Sequence, residues 1–270
     1  MKKTLSIIVV VFLGLVGLSD WTWDGSKFYA QFSDIQWVWN GTRYVGTLGS
    51  PSTNDTSLRA WWTMDAITND NQIVDFSGNG HTLTLVDGPS IVAGKVGNAL
   101  SLNGTTQYGT TQDASDWPKN GDWTIAAWIS AYSSWGTTMY IVGSGDATFC
   151  FPHDLFLLGA DSGSFNGTPQ TESYKLYKAD AYARASGYNL YDGNWHHVAG
   201  VRSNSVLSIW VDGTNRTVVG GGTTGTFTNP DPIVIGVTYN FANPFKGLID
   251  DVRIYNRALS SAEILALANP

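Results

Sequence analysis

The sequence predicts an all-β protein whose main domain is a two-sheet antiparallel jelly-roll sandwich. Aromatic residues make up 13% and charged residues 14% of the 270 residues, and 30 glycines are spread along the chain. This balance is typical of a turn-rich β protein rather than of a helical or disordered one. From residue 58 onward, short apolar or alternating runs recur about every 8 to 15 positions between turn residues, which is the spacing of sandwich strands.

The chain begins with an apolar segment. Lys2 and Lys3 precede a mostly apolar run over residues 5–18, and Ser19 supplies a small residue for cleavage. The run is shorter than the roughly 20 residues of a membrane span. We therefore predict a secretory signal peptide or, as the alternative, a retained anchor or assembly segment. The protein would contact a membrane only through this segment, if it is not cleaved.

A short unit is then duplicated. WTWDGSKF at residues 21–28 recurs as WVWNGTRY at residues 37–44. Asp-Gly and Asn-Gly favour the type I′ turn, so each copy predicts a β-hairpin. Two hairpins are too small to bury four tryptophans alone, so these side chains should pack between the hairpins, on the main domain or on a neighbouring subunit. The tryptophans, to which we assign assembly or docking, are Trp21, Trp23, Trp37 and Trp39.

A linker separates these hairpins from the main domain. GTLGSPSTNDT contains mainly Gly, Ser, Thr and Pro. The predicted organisation is a signal peptide or apolar anchor over residues 1–19, a hairpin extension over 20–45, a linker over 46–57, and the sandwich domain over 58–270.

The strands of the main domain are bounded by residues that favour turns. We predict strands near residues 58–64, 98–102, 123–130, 195–202, 206–211 and 232–237. The loop DFSGNG and the dipeptides Asn103-Gly104 and Asp212-Gly213 provide turn chemistry between them. Strand register is therefore well specified.

A short helix is predicted to close the domain. Ser260 and Glu263 have the spacing of a capping box, while Leu259 and Ile264 occupy the positions of a hydrophobic staple. These signals predict a helix over residues 261–268.

Several motifs occur in the order found in laminin-G-like domains. They are LRAWWTMD, VDFSGNGHTLTL, GKVGNALSLNGTTQY, WTIAAWIS, GNWHHVAGVRSNSVLSIWVDG and FKGLIDDVRIYNRALSSAEILAL. The main domain thus resembles the concanavalin A-like lectin/glucanase superfamily over roughly 210 residues. This resemblance implies a lectin-like sandwich that binds carbohydrate or protein through its rim loops. It also implies a structural calcium ion on a strand aspartate.

The sequence argues against an enzyme. Glycosidases of this superfamily use two carboxyl groups about 5 Å apart, commonly from glutamates of an ExDxxE strand. The chain has two glutamates, Glu172 and Glu263, and the second is committed to the helix cap. Hydrolysis would need an unfamiliar pair of aspartates, which we keep as a weaker alternative.

The histidines and the cysteine do not form a recognisable site. His196 and His197 are neighbours in a predicted strand, where they point to opposite faces, so they should not chelate one ion together. We expect one in the core and one at the surface. Cys150 is the sole cysteine, which excludes an intrachain disulfide and a CxxC metal or redox site.

Asp250 is the strongest metal candidate. In LIDDVRIY, strand alternation places it on the same face as Val252 and Ile254, and a carboxylate on a buried face needs a partner. Calcium would satisfy it, with Asp65 and Asn103 as candidate co-ligands. A plain hydrogen-bonded aspartate is the alternative.

Ligand-binding residues are expected in the least regular stretch, residues 131–193. Flat aromatic side chains with polar tips stack on sugars and also anchor protein interfaces. In the alternative, most of them cover the second sheet. The candidates are Trp135, His153, Tyr174, Tyr177, Tyr182 and Tyr188.

The formal net charge is −7, which argues against nucleic acid as a partner. Together these features predict an extracellular, non-enzymatic binding module for a glycan or a cell-surface or virion protein. The alternative is a structural or assembly subunit of a virion or extracellular filament, in which the N-terminal segment and tryptophan hairpins pack against neighbouring subunits of a homo-oligomer.

Overall fold

The computed structural model describes two compact units of the chain, Met1–Ser50 and Pro51–Pro270. In the first, it describes the backbone of residues 20–23, 28–32, 35–39 and 44–48. In the second, it describes residues 55–112, 117, 121–131, 139–144, 157–161, 173–178, 181–186, 190–221, 232–237 and 244–270. Side chains are described for residues 55–112, 117, 121–131, 139–143, 183–185, 190–218, 232–237 and 244–270.

The first unit is a four-stranded antiparallel meander of β1 (Asp20–Trp23), β2 (Phe28–Phe32), β3 (Ile35–Trp39) and β4 (Tyr44–Leu48). Each copy of the duplicated unit forms one hairpin, as predicted, with Trp23 opposite Phe28 and Trp39 opposite Tyr44. Strands β2 and β3 also pair, so the hairpins join into one sheet. The four tryptophans lie in these strands, and their side chains lie outside the described part of the structure.

The second unit contains two antiparallel sheets, which confirms the predicted jelly-roll sandwich. Among the described residues, one sheet has eight strands. These are β5 (Leu58–Trp62), β8 (Ser90–Ala93), β9 (Asn98–Asn103), β11 (Trp123–Ala131), β16 (His196–Ser203), β17 (Val206–Val211), β18 (Thr214–Asn215) and β21 (Lys246–Tyr255). The order is β18-β17-β16-β11-β21-β9-β8, and β5 pairs with the C-terminal half of β21.

The other sheet has nine strands within the described ranges. They are β6 (Gln72–Ile73), β7 (Leu83–Val86), β10 (Tyr108–Thr110), β12 (Met139–Ser144), β13 (Leu157–Asp161), β14 (Ser173–Lys178), β15 (Ala181–Ser186), β19 (Val219–Gly221) and β20 (Ile233–Ile235). Their order is β19-β15-β14-β13-β12-β20-β10-β7-β6. Four of these strands, β12 to β15, lie within residues 131–193, the stretch expected to be least regular.

The core contains apolar side chains from both sheets. Trp62 and Ile125 of the eight-stranded sheet belong to the same buried cluster as Leu83 and Ile141 of the nine-stranded sheet. All four are fully buried. Burial of large apolar side chains is the main stabilising contribution to such a sandwich.

Strand β21 contains a β-bulge that changes which residues face the core. Ala126 of β11 pairs with Arg253, but Trp128 pairs with Asp250, so β21 has one more residue than β11 between these two pairs. Asp251 adopts the positive φ of 46° that accommodates the extra residue. The bulge keeps Val252 in the core and turns Asp250 to the outer face beside Trp128. The prediction that Asp250 shares a face with Val252 was therefore wrong.

The C-terminal helix α1 (Ser261–Leu267) covers this outer face. Ser260 and Glu263 form the predicted capping box, and Ile264 and Leu267 are buried with Leu58 of β5 in a second apolar cluster. The indole N–H of Trp128 donates to the carbonyl oxygen of Leu267 over 3.3 Å, which places that ring beneath the helix. Among the described residues, no helix is long and apolar enough to cross a membrane.

Candidate functional site

Asp250 is a buried carboxylate that holds the turn between β8 and β9. Its Oδ2 atom accepts hydrogen bonds from the backbone N–H groups of Lys95 at 2.9 Å and Val96 at 2.8 Å. Its Oδ1 atom has no hydrogen-bond partner among the described residues. The side chain is fully buried, and this loss of hydration raises the pKa of Asp250 to about 7.

Asp65 holds the same turn from the other side. Its Oδ1 atom accepts the backbone N–H of Asn98 at 2.8 Å, while the Asn98 amide donates to the backbone oxygen of Asp65 at 3.1 Å. Gly97 has a φ of +71°, and a Cβ atom there would collide with the Asp65 carboxylate. Two acids that were predicted as metal ligands therefore meet at one hairpin turn, where both bind backbone amides.

Asn103 does not join them. It ends β9, whose first residue is Asn98, so five residue steps place the two asparagines roughly 17 Å apart. The Oδ1 atom of Asn103 accepts the backbone N–H groups of Thr105 at 2.8 Å and Thr106 at 3.3 Å within its own turn. In the described part of the chain, no group of three or more His, Cys, Asp or Glu side chains could hold a metal ion. Calcium at Asp250 stays a prediction, and the contacts seen are those of the hydrogen-bonded alternative.

The two neighbouring histidines have opposite environments, as predicted. His197 is buried with its ring centroid 5.4 Å from that of Trp128, and burial lowers its pKa to about 3, so it is neutral. His196 lies at the rim between Asp212, at 3.0 Å from Nδ1, and Asp192, at 3.2 Å from Nε2. The hydrogen bond to Asp212, followed by that to Asp192, raises the pKa of His196. The two ring nitrogens contact separate acids, so these groups do not converge on a metal.

Glu263 and Asp55 have a shared structural partner. Glu263 accepts from the guanidinium of Arg257 at 2.7 Å and caps α1, and Arg257 also contacts Asp55 at 2.9 Å. The pKa of Glu263 is lowered, and the largest cause is its hydrogen bond with Arg257. A carboxyl group with a lowered pKa in an ion pair is poorly suited to act as a general acid. Glu172 lies outside the described residues.

The side chains of all six predicted ligand-binding residues lie outside the described part of the structure. Trp135, His153 and Tyr188 lie outside the described residues altogether. Tyr174 and Tyr177 lie in β14 and Tyr182 lies in β15, where Tyr177 and Tyr182 are register partners. The backbone thus places three of the tyrosines on adjacent strands of the nine-stranded sheet.

The structure also contains an aromatic surface that the sequence did not predict. Trp61, on the outer face of β5, lies with its ring centroid 6.1 Å from that of Phe76, at an interplanar angle of 61°. Phe76 is 54% exposed and Trp61 is partly exposed. The available sequence signal was a phenylalanine inside DFSGNG, a loop whose conformation requires polar residues and glycine rather than an aromatic ring.

A laminin-G-type family model, described as the concanavalin A-like lectin/glucanases superfamily, matches residues 103–265. No curated protein sequence matches the chain.

Three solved structures illustrate the shared fold. Domain 4 of AbnA, an extracellular arabinanase of Geobacillus stearothermophilus in complex with arabinotriose, has a TM-score of 0.61 and 21% identity, over 79% of this chain and 98% of that domain. The binding domain of botulinum neurotoxin DC in complex with SialylT has a TM-score of 0.57 and 13% identity, over 81% of this chain and 52% of that chain. Trypanosoma rangeli sialidase has a TM-score of 0.57 and 16% identity, over 92% of this chain and 43% of the sialidase chain.

Proposed function

The chain belongs to the laminin-G-type family of the concanavalin A-like lectin/glucanases superfamily, and we propose that it is a non-enzymatic module that binds carbohydrate outside the cell. The observation that carries this proposal is the two-sheet sandwich with aromatic residues on its surface. The ligand would bind at the rim, to residues such as Trp135, His153 and Tyr188, and on the tyrosine-bearing strands β14 and β15.

The comparisons support a carbohydrate ligand over other classes. The arabinanase domain that this chain spans almost completely was solved with arabinotriose bound. Tyrosine and tryptophan rings present a flat apolar face and a polar edge, which suits the alternation of C–H and O–H groups on a sugar. The net charge of −7 argues against nucleic acid or anionic lipid as the main ligand.

The chemistry of the carboxylates supports a non-enzymatic role. Retaining hydrolysis requires one carboxyl group that acts as an acid and a second that attacks from about 5 Å away. Asp250 binds two backbone amides, and Asp192 and Asp212 both contact His196. Asp251 forms a 3.0 Å ion pair with Arg253. Each of these acids already has a structural partner, so a catalytic pair among them would first have to lose those contacts.

An oligosaccharide array followed by calorimetry on soluble hits tests the proposal. We expect the full chain to bind at least one neutral oligosaccharide, with arabinotriose as the first soluble probe, and to leave every bound oligosaccharide uncleaved by mass spectrometry. Cleavage products would contradict the non-enzymatic role. An array with no bound oligosaccharide would contradict carbohydrate binding.

An assembly role is the second candidate, and the separate four-stranded sheet built from the duplicated unit favours it. In that case the tryptophans of β1 and β3 and residues 5–18 pack against neighbouring subunits of a virion or filament. Mass spectrometry of the native N-terminus and a measurement of oligomeric state distinguish the two roles. A monomer that begins at Asp20 supports the secreted lectin, whereas an ordered assembly that retains residues 5–18 supports the structural subunit.

A further inference from the structure

The loop that follows Ile73 is fixed rigidly along the outer edge of β5. Asp75 anchors it, because Oδ1 accepts the backbone N–H groups of Trp61 at 2.9 Å and Ser77 at 2.8 Å, and Oδ2 accepts that of His81 at 2.9 Å. The side chain of Asn79 adds hydrogen bonds to two backbone oxygens of β5. The loop is therefore held by its polar side chains and its backbone.

Phe76 contributes little to this anchoring. Its backbone N–H donates to the Trp61 backbone oxygen at 2.7 Å, which any residue except proline could do, while the residue as a whole is 54% exposed. Val74, two positions earlier, is 47% exposed. Exposed apolar side chains on a rigid loop lose little conformational entropy on binding, so they are well suited to contact a ligand.

Trp61 is fixed beneath Phe76. Its indole N–H donates to Asp251 Oδ1 at 2.6 Å, and the guanidinium of Arg253 stacks 4.4 Å from its ring centroid. Arg253 is itself held by the buried ion pair with Asp251 at 3.0 Å. The bulge in β21 thus supports one orientation of the indole, and two aromatic rings meet at a fixed angle of 61°.

We propose that Val74, Phe76 and Trp61, named here the β5 aromatic surface, form a stacking site for the apolar face of a sugar ring. The proposal rests on the carbohydrate-binding function above and adds a site on the outer face of β5, formed by residues other than those predicted to bind at the rim. Ser77 and Asn79, on the same loop, provide a polar border. Such a border suits a ligand that carries hydroxyl groups around an apolar face.

The size of the surface favours a sugar over a protein partner. A large aromatic side chain has a surface of about 150–250 Å². With Phe76 54% exposed, Val74 47% exposed and Trp61 partly exposed, the exposed parts of the three side chains together amount to about 200 Å². A stable protein interface takes about 800 Å² from each partner. A surface of this area matches one or two sugar rings.

The test replaces Phe76 in the full chain and measures binding to the neutral oligosaccharides of the array, with calorimetry on arabinotriose or the strongest soluble hit. Phe76→Ala should weaken binding about tenfold or more, as expected for loss of an aromatic anchor, and Phe76→Trp should retain binding. Val206→Ala is the matched control, because Val206 is 68% exposed and lies on β17, four strands or about 19 Å from β5. All three variants should melt within about 2 °C of the natural protein, because the replaced side chains are exposed.

A second readout reports on the site itself. In a nitrogen-15 NMR spectrum, the indole resonance of Trp61, assigned with Trp61→Phe, should shift on addition of the oligosaccharide, and the shift should disappear in Phe76→Ala. If Phe76→Ala binds as tightly as the natural protein and the indole resonance does not move, the β5 aromatic surface is not the site, although the carbohydrate-binding function stands. If the natural protein binds no oligosaccharide, both proposals fail. They also fail if Phe76 contacts a protein partner and no oligosaccharide binds.

Discussion

Removing the charge of Asp250 should change how stability depends on pH. Asp250→Asn keeps the shape of the side chain and retains an oxygen that can accept from the amides of Lys95 and Val96. It eliminates a carboxylate whose pKa is raised from 3.8 to about 7 by burial. A raised pKa means that the native state binds the proton more tightly than the unfolded chain does. The native protein is therefore favoured at low pH, and this contribution is lost as the pH rises from about 4 through 7.

The magnitude follows from the two pKa values. At pH 5 the buried carboxyl is mostly protonated and its unfolded counterpart mostly ionised, whereas at pH 8 both are ionised. With one pKa unit equivalent to 1.36 kcal/mol, this group should cost the natural protein about 3 kcal/mol of unfolding free energy between pH 5 and pH 8. Asp250→Asn should show no such loss. Since the comparison is a difference between two pH values, any constant effect of the amide on the hydrogen bonds cancels.

Urea unfolding at pH 5, 6, 7 and 8, followed by tryptophan fluorescence, measures this difference. Asp70→Asn is the control, because Asp70 is exposed and its replacement reports the general effect of removing one negative charge. We expect the Asp70→Asn curve to run parallel to that of the natural protein, and the Asp250→Asn curve to rise relative to both as the pH increases. Parallel curves for Asp250→Asn and the natural protein would refute the reasoning.

The remaining predictions concern calcium, the rim histidine and the helix cap. Calcium bound at Oδ1 of Asp250 would stabilise the charged carboxylate, so at pH 8 added calcium should raise the melting temperature and EDTA should lower it. A melting temperature that neither reagent changes would contradict calcium binding at Asp250. The raised pKa of His196 adds stability that is present below pH 6.5 and is lost as the pH rises through its folded pKa. NMR titration should place the midpoint of His196 above 6.5, and His196→Gln should abolish this pH dependence of stability. A midpoint at or below 6.5 would count against the contacts of His196 with Asp212 and Asp192. Ser260→Ala should destabilise the domain by about 1 kcal/mol, because it removes the cap of α1; Ser260→Thr, which keeps the hydroxyl, should recover most of that loss in the same urea assay, and equal stability of the alanine variant and the natural protein would mean that the cap is unimportant.

The features that could be predicted from the sequence are those with local causes. The cap at Ser260 depends on residues within one turn of helix, and each hairpin of the duplicated unit joins two strands that are neighbours in the chain, so both appeared where the sequence placed them. The direction of Asp250 could not be predicted in this way. It depends on a bulge at Asp251, and that bulge is defined by the pairing of β21 with a strand more than 100 residues earlier.

The candidate site shows the same division. The sequence predicted Asp250 on the core face, whereas it is buried on the outer face, and its partners there, the amides of Lys95 and Val96, lie 155 and 154 residues away in the chain. The contact between Trp61 and Phe76 joins a strand to a loop that crosses its edge. The pattern of apolar residues within either segment does not predict this contact. Asn103 was grouped with Asp65 and Asp250 as a candidate calcium ligand, whereas the fold places it at the far end of β9 from the turn that the two aspartates hold.

The loop over β5 also determines how this protein can associate with other chains. A strand at the border of a sheet presents unpaired N–H and C=O groups that invite a foreign strand to add to it. Here Asp75 occupies the N–H of Trp61, the backbone of Phe76 occupies its C=O, and Ser77 occupies the C=O of Arg59. The free edge of β5, on the side away from β21, is thereby closed to strand addition. Sheets of neighbouring molecules cannot merge there into a continuous ladder, and any assembly that uses this side of the domain must be built through side chains.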